Sequence, residues 1–276
     1  MSELRISMWS GPRNVSTALM RSFDARGDTL VVDEPFYAAY LEHTGLLHPM
    51  REEVLRSQPT DWRDVVTQLL APLPAARPLQ YQKHMTHHML PGFGREWLMD
   101  CHNAFLIRDP AHVLASYVKK HSTVSLLDIG VPQQLEIFEQ VSDALGAAPP
   151  VIDCEDLLRD PAGVLSQLCA TLGIAYTPAM LRWPAGRRST DGVWAPAWYD
   201  AVEKSTGFAA PEARSLPELP DELTSMGIRV TKDTLREQLE MTNQVNFLDL
   251  PYHKAIVNDQ IPLSIGGGIG QSRTTM

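Results

Sequence analysis

The stretch "ISMWSGPRNVSTALMRSF" (residues 6–23) sets a basic side chain, Arg13, and two hydroxyls, Ser16 and Thr17, where an apolar run gives way to helical spacing. A strand, a tight turn and a helix start in that order aim backbone N–H groups and the positive end of a helix dipole at one point. That arrangement suits a phosphate or a sulfate. The GxxxxGK[ST] pattern is absent, because Ser16, Thr17 and Ala18 stand where Gly, Lys and Ser/Thr would fall when counted from Gly11. Metal-dependent nucleotide hydrolysis relies on that lysine and hydroxyl. Arg13 supplies the charge instead, so the loop reads as an anion site without a metal. An N-capped helix with no ligand produces the same local pattern, and the loop alone does not decide between the two.

The elements that must position this loop are short strands alternating with helices. Strands are expected at Leu4–Trp9, Thr29–Glu34, Leu79–Met85, Ala104–Asp109 and within "PPVIDCEDLL". Helices are expected at Val15–Gly27, after Pro35 as an N1 residue, from Pro110 to Lys120, and in "PAGVLSQLCATLG". Alternation of this kind predicts an α/β fold with a parallel sheet. "APEARSLPELPDEL" (residues 210–223) carries three prolines and reads as a junction, followed by an amphipathic helix in "VTKDTLREQLEMT".

The 276 residues suffice for one large domain or two smaller ones. Their 44% hydrophobic and 21% charged content is that of a soluble globular chain. No apolar run approaches the ~18 residues that a membrane span needs, and no signal peptide is expected at the N-terminus. The net charge of −9, from 24 basic and 33 acidic residues, opposes general nucleic-acid binding. Cys101, Cys154 and Cys169 show no metal spacing and predict free thiols in a reducing cytoplasm.

Four blocks, in order over about residues 4–208, resemble the sulfotransferases that use 3′-phosphoadenosine 5′-phosphosulfate (PAPS). "GPRNVSTAL" is similar to their 5′-phosphosulfate loop "PKSGTTWL", with Val15 where glycine is common and Arg13 where lysine is common. "FLIRDPAHVLASYVKKH" resembles their 3′-phosphate segment, in which an arginine and a serine lie eight residues apart, as Arg108 and Ser116 do. "VIDCEDLLRDPAGVLSQLCATLGI" is similar to their "YEDL…DP…L…FLG" strand and helix. "GRRSTDGVW" (residues 186–194) resembles their late "RKGxxGDW" loop, which holds the 3′-phosphate and adenine.

The resemblance implies a P-loop-like, three-layer α/β fold and a PAPS site made by Arg13, Asn14, Val15, Ser16, Thr17, Arg108, Ser116, Arg187, Arg188 and Trp194. Arginines suit this work because they bind phosphate with bidentate, charge-assisted hydrogen bonds. It further implies metal-free sulfuryl transfer to a hydroxyl or amine of a small-molecule acceptor. Catalysis would then rest on positioning and on charge stabilisation of the departing 5′-phosphate by Arg13 and the loop. Two bases are implied. The histidine of the family's "KTHLPxxLLP" stretch falls on His84 in "YQKHMTHHMLP", and a glutamate used by some members falls on Glu34 in "VVDEPFY". A histidine has a near-neutral pKa, whereas a glutamate needs its own raised by burial. Lys83 is the expected stabiliser of the sulfuryl group. The "HMTHH" histidines could share one polar cluster, and no nearby carboxylate or cysteine completes a metal site. A homo-oligomer and a non-catalytic nucleotide binder both stay open.

From about residue 225 the pattern changes, and "SIGGGIGQSRTTM" (residues 264–276) resembles the end of ammonia-dependent aspartate–ammonia ligase. That resemblance places Arg273 at an ATP contact. The rest of that fold's sheet has no counterpart here, and a strand without neighbours leaves backbone groups unpaired. Residues 1–220 are therefore expected to form the nucleotide-binding domain, and 221–276 a grafted segment rather than an independent domain.

Overall fold

The computed structural model describes residues 3–118 and 126–210. The chain divides into compact units at Met1–Pro217 and Glu218–Met276. The tail helix, the glycine turn and Arg273 lie outside the described residues, as do Lys119 and Lys120 of the expected fifth helix.

Five strands form one wholly parallel sheet: β1 (Leu4–Ser10), β2 (Thr29–Asp33), β3 (Leu79–Met85), β4 (His102–Ile107) and β5 (Val151–Asp153). Their order is β2-β3-β1-β4-β5. The connection after β1 runs one way along the sheet, to β2, and the connection after β3 runs the other way, to β4, so the crevice between the carboxyl ends of β1 and β3 is the topological switch point where α/β folds bind ligands. The chain is α/β, with a P-loop-like arrangement of sheet and helices.

Alternation along the strands builds a core on each face. Ile6 and Met8 of β1, with Ala104 and Leu106 of β4, pack beneath α1 (Ser16–Asp24) and are joined there by Leu157, Leu165 and Leu168. Trp9 and Phe105 turn to the other face, where they meet Phe36, Val65, Trp97, Ile137 and Val141. Pro35 precedes the second helix instead of opening it: α2 (Tyr37–Thr44) has Phe36 as its N-cap.

Three further helices fill out the middle of the fold: α3 (Arg51–Ser57), α4 (Trp62–Leu69) and, after β4, α5 (Pro110–Tyr117). Pro110 takes the N1 position of α5, and the Asp109 carboxylate caps that helix by accepting from the Ala111 N–H.

The chain continues through α6 (Leu126–Ile129), α7 (Val131–Leu145), α8 (Cys154–Arg159) and α9 (Pro161–Thr171). Among the described residues it then reaches the short α10 (Ala195–Trp198) and α11 (Asp200–Glu203). Among the described residues no helix is long and apolar enough to cross a membrane.

Candidate active site

The turn after β1 is held in an unusual conformation. Arg13 and Val15 have φ of 64° and 50°, in the left-handed region that a β-branched side chain seldom enters. Glycine adopts that region without cost, which explains why valine at position 15 is the departure seen in the sequence. Neighbours hold the turn: the buried Asn14 amide donates to Leu106 O (3.4 Å), and the Cys154 thiol donates to Asn14 O (3.0 Å). A Cβ at Gly11 would come within 2.5 Å of Ile129 O, so the chain passes there only as glycine. No side chain caps α1, which leaves its first-turn N–H groups for another acceptor.

Two guanidinium groups converge on this turn. Arg13 Nε donates to Ser116 Oγ (2.8 Å), and Arg108 Nη1 donates to Arg13 O (2.7 Å). Burial and then the nearby Arg108 charge lower the pKa of Arg13. An anion between the two would offset both effects.

These residues form one wall of a cavity of about 570 Å³ that also reaches Glu34, Lys83 and Tyr199. Lys83 is buried, and its Nζ donates to Asp33 Oδ1 (3.0 Å), Glu34 Oε1 (2.6 Å) and Tyr199 Oη (2.8 Å). Those three bonds account for every N–H of an ammonium. The Tyr199 hydroxyl donates to Asp33 Oδ2 (2.6 Å) and accepts from Trp194 Nε1 (3.2 Å). Glu34 carries a left-handed φ of 41°. Desolvation raises its pKa, against the opposing pull of Lys83. A carboxylate held that way is a competent proton acceptor. Burial also lowers the pKa of Lys83, but the two carboxylates outweigh it and keep the ammonium charged.

Beyond Glu34 the cavity wall is aromatic. Tyr37 stacks on His88 with ring centroids 4.7 Å apart and donates to or accepts from His48 Nδ1 at 2.9 Å. His87 and His88 meet edge to face at 4.4 Å. Burial, foremost, keeps both histidines neutral at pH 7. The two form no metal-ligating group with other His, Cys, Asp or Glu among the described residues.

Four expected site residues are not on this cavity. His84 is 1% exposed, stacks on Trp9 with centroids 4.2 Å apart, and its Nε2 sits 3.0 Å from Gln82 Oε1 in a buried polar ladder with Ser7 and Gln80. Burial lowers its pKa to about 3. The reason is the pleat: neighbours on a strand face opposite sides of the sheet, so Lys83 reaches the cavity and His84 enters the core. His84 is thereby corrected from candidate base to core residue.

Arg187, Arg188 and Trp194 line none of the cavity either. Their loop is tied to α1 and β2, because Asp191 Oδ2 accepts from Arg21 Nη2 and from the Arg188 N–H (both 2.7 Å), and Gly192 N–H donates to Asp33 Oδ2 (3.0 Å). The Arg188 guanidinium donates to Pro184 O (2.6 Å). Trp194 is buried among Tyr37, Ala38 and Leu41.

Asp33 and Tyr199 are the participants that sequence reasoning missed. Asp33 adjoins Glu34, which was a usable signal; Tyr199 stands 116 residues from Lys83 with no local motif around it.

The chain is similar to several known proteins. The aspartate–ammonia ligase family model matches residues 215–276, and the aspartate–ammonia ligase of Bacteroides fragilis is 58% identical over 55 residues, 20% of this chain and 16% of that protein. Branched-chain-amino-acid aminotransferase-like proteins 1 and 2 of Arabidopsis thaliana are 40% and 37% identical over 207 residues, 75% of this chain. The chain spans only 37% and 36% of their lengths. Among solved structures, the sulfotransferase domain of the curacin biosynthetic pathway aligns with a TM-score of 0.45 at 17% identity, covering 76% of this chain and 84% of that one. The sulfotransferase domain of the Synechococcus PCC 7002 olefin synthase aligns with a TM-score of 0.46 at 17% identity, covering 78% and 91%. The sulfotransferase-domain family model itself matches residues 4–230, and over that span the chain belongs to the sulfotransferase-domain family.

Proposed function

We propose that the protein transfers a sulfuryl group from PAPS to a hydroxyl or amine of a small-molecule acceptor. One observation carries the reading. A single cavity joins the uncapped Arg13–Thr17 turn, the Arg108–Ser116 pair, and a carboxylate with a raised pKa, Glu34. The turn amides, Arg13, Ser16 and Thr17 suit the 5′-phosphosulfate, and Arg108 with Ser116 suits the 3′-phosphate. Glu34 takes the acceptor proton as the acceptor atom attacks sulfur. The bond from sulfur to the 5′-phosphate oxygen breaks, and that oxygen keeps the electron pair beside Arg13. Once Glu34 is neutral its hold on Lys83 weakens, and an ammonium N–H becomes available to the developing charge.

The aminotransferase-like name of the plant relatives belongs to proteins of which this chain spans little more than a third. We place the protein in the cytoplasm, in keeping with its free cysteines, and take residues 221–276 as an appended segment. A second reading, an ATP-dependent ligase working through Arg273, has the family match at residues 215–276 behind it.

Thermal unfolding with adenosine 3′,5′-bisphosphate and with ATP–Mg²⁺ separates the two. The bisphosphate is expected to raise Tm well above the ATP–Mg²⁺ value; equal shifts, or none with the bisphosphate, would overturn the sulfotransferase reading.

A further inference from the structure

The two carboxylates around Lys83 are held differently. Asp33 Oδ1 accepts from Lys83 Nζ (3.0 Å), and Asp33 Oδ2 accepts from the Tyr199 hydroxyl (2.6 Å) and the Gly192 N–H (3.0 Å). Both oxygens are thus committed to donors. The Asp33 side chain is 2% exposed and does not line the cavity. Glu34 accepts from the same ammonium at 2.6 Å, but its side chain is 12% exposed and lines the cavity. The ammonium is divided in the same way: two N–H groups go to Asp33 and Tyr199, and the third goes to Glu34. The "GRRSTDGVW" loop braces the closed side, through Gly192 on Asp33 and through Trp194 Nε1 on Tyr199 Oη (3.2 Å).

We propose that Asp33 is a positioning residue for the proton transfer: with Tyr199 it is the fixed counter-ion and anchor of Lys83, so that Glu34 is the group that takes up the acceptor's proton. The proposal rests on the role of Glu34 argued above. When the acceptor attacks, its O–H or N–H bond breaks and an O–H bond forms on Glu34, while Lys83 keeps all three of its protons. Two carboxylates and one ammonium carry one net negative charge before that step and none after it. A Glu–Lys pair without Asp33 would instead end as an unpaired buried cation, which a desolvated site resists. The two anchored N–H groups also keep the third directed to the Glu34 side.

The titratable groups that act on Glu34 are Lys83 on β3, Asp33 on β2, Tyr199 between α10 and α11, and Tyr37 on α2. Burial, foremost, raises the Glu34 pKa; the Lys83 charge opposes this and the Asp33 charge adds to it. Burial and then the Asp33 charge hold Tyr199 well above its ordinary pKa, so its hydroxyl keeps the proton it donates.

Carbon-13 NMR of the full chain, labelled separately at Asp and at Glu carboxyls, follows each group with pH, and nitrogen-15 NMR follows the Lys83 ammonium. Glu34→Gln assigns the Glu34 signal, so the parent result stands even where another variant fails to fold. In the parent the proton is expected on Glu34, with the ammonium signal persisting through that transition. In Asp33→Asn the Glu34 transition should move to lower pH, because a neighbouring negative charge that disfavours the carboxylate is gone. Tyr199→Phe keeps that charge and should not move the transition down.

Proton uptake at Asp33 before Glu34 would overturn the proposal. So would an Asp33→Asn transition at or above the parent's, or a Tyr199→Phe transition as low as that of Asp33→Asn. Calorimetry with adenosine 3′,5′-bisphosphate is read separately: a parent that does not bind it overturns the PAPS reading and leaves the NMR result as it is.

Discussion

Glu34 Oε1 lies 2.6 Å from Lys83 Nζ, and the same ammonium is shared with Asp33 at 3.0 Å. Two adjacent carboxylates on one buried cation leave an excess negative charge under the cavity floor. Desolvation acts on that excess and raises the pKa of Glu34.

Glu34→Gln is therefore expected to remove sulfuryl transfer by about 10²–10⁴-fold while leaving adenosine 3′,5′-bisphosphate affinity within twofold. Kinetics beside calorimetry check this. The same change has a pH signature. A carboxyl whose folded pKa is raised binds its proton more readily in the folded state, so stability falls as pH rises from the unfolded pKa through the folded one. Glu34→Gln should then gain stability relative to the parent as pH rises from 4 to 8. Denaturant unfolding at the two pH values decides it, and a parent that gains on the variant over that range would contradict the picture.

His84 makes the opposite forecast. It stacks on Trp9 and bonds within the Gln82 ladder, away from the cavity. His84→Ala should cost about 1–3 kcal/mol through a lost ring and the loss of one of the hydrogen bonds at Gln82 Oε1, which Ser7 still meets. Turnover of the surviving folded protein should stay within a few-fold of the parent. A drop of two orders of magnitude with bisphosphate binding intact would return His84 to the chemistry.

The Arg21–Asp191 pair joins α1 to the late loop at 2.7 Å, with side chains 2% and 0% exposed. Breaking one partner strands a buried charge, so Asp191→Asn should cost about 3–5 kcal/mol in denaturant unfolding. Replacing both with apolar residues of similar volume, as in Arg21→Met with Asp191→Leu, should cost less than either single change.

Arg108→Ala and Arg13→Ala should both weaken the bisphosphate, yet by different routes. Arg108→Ala should lower affinity about tenfold or more and act chiefly through the 3′-phosphate, so adenosine 5′-monophosphate is largely spared. Arg13→Ala should weaken both nucleotides and slow transfer as well, because the charge it faces grows in the transition state. Titration with the nucleotide pair distinguishes them.

Much of this arrangement was legible from sequence. Short apolar or β-branched runs located four of the five strands, the polar-apolar alternation of "LQYQKHM" the other, and helical spacing located α1, α5 and α9, because burial on one face imposes a period. The loop "GPRNVSTAL", Glu34, Lys83, Arg108 and Ser116 were singled out through the resemblance to sulfotransferase motifs, and each sits at the end of a strand or on the helix that follows. What the sequence left undecided was the choice between Glu34 and His84. Adjacent residues of β3 differ by one step of the pleat, and only the packing of the sheet says which face is the cavity and which is core. Tyr199 and the displacement of Arg187, Arg188 and Trp194 were likewise settled by tertiary structure. Asp33 is the acceptor that draws Gly192 and Tyr199 to the strand edge, across 159 and 166 residues of chain. No local pattern encodes a bond of that span, because it exists only once the sheet has brought its ends together.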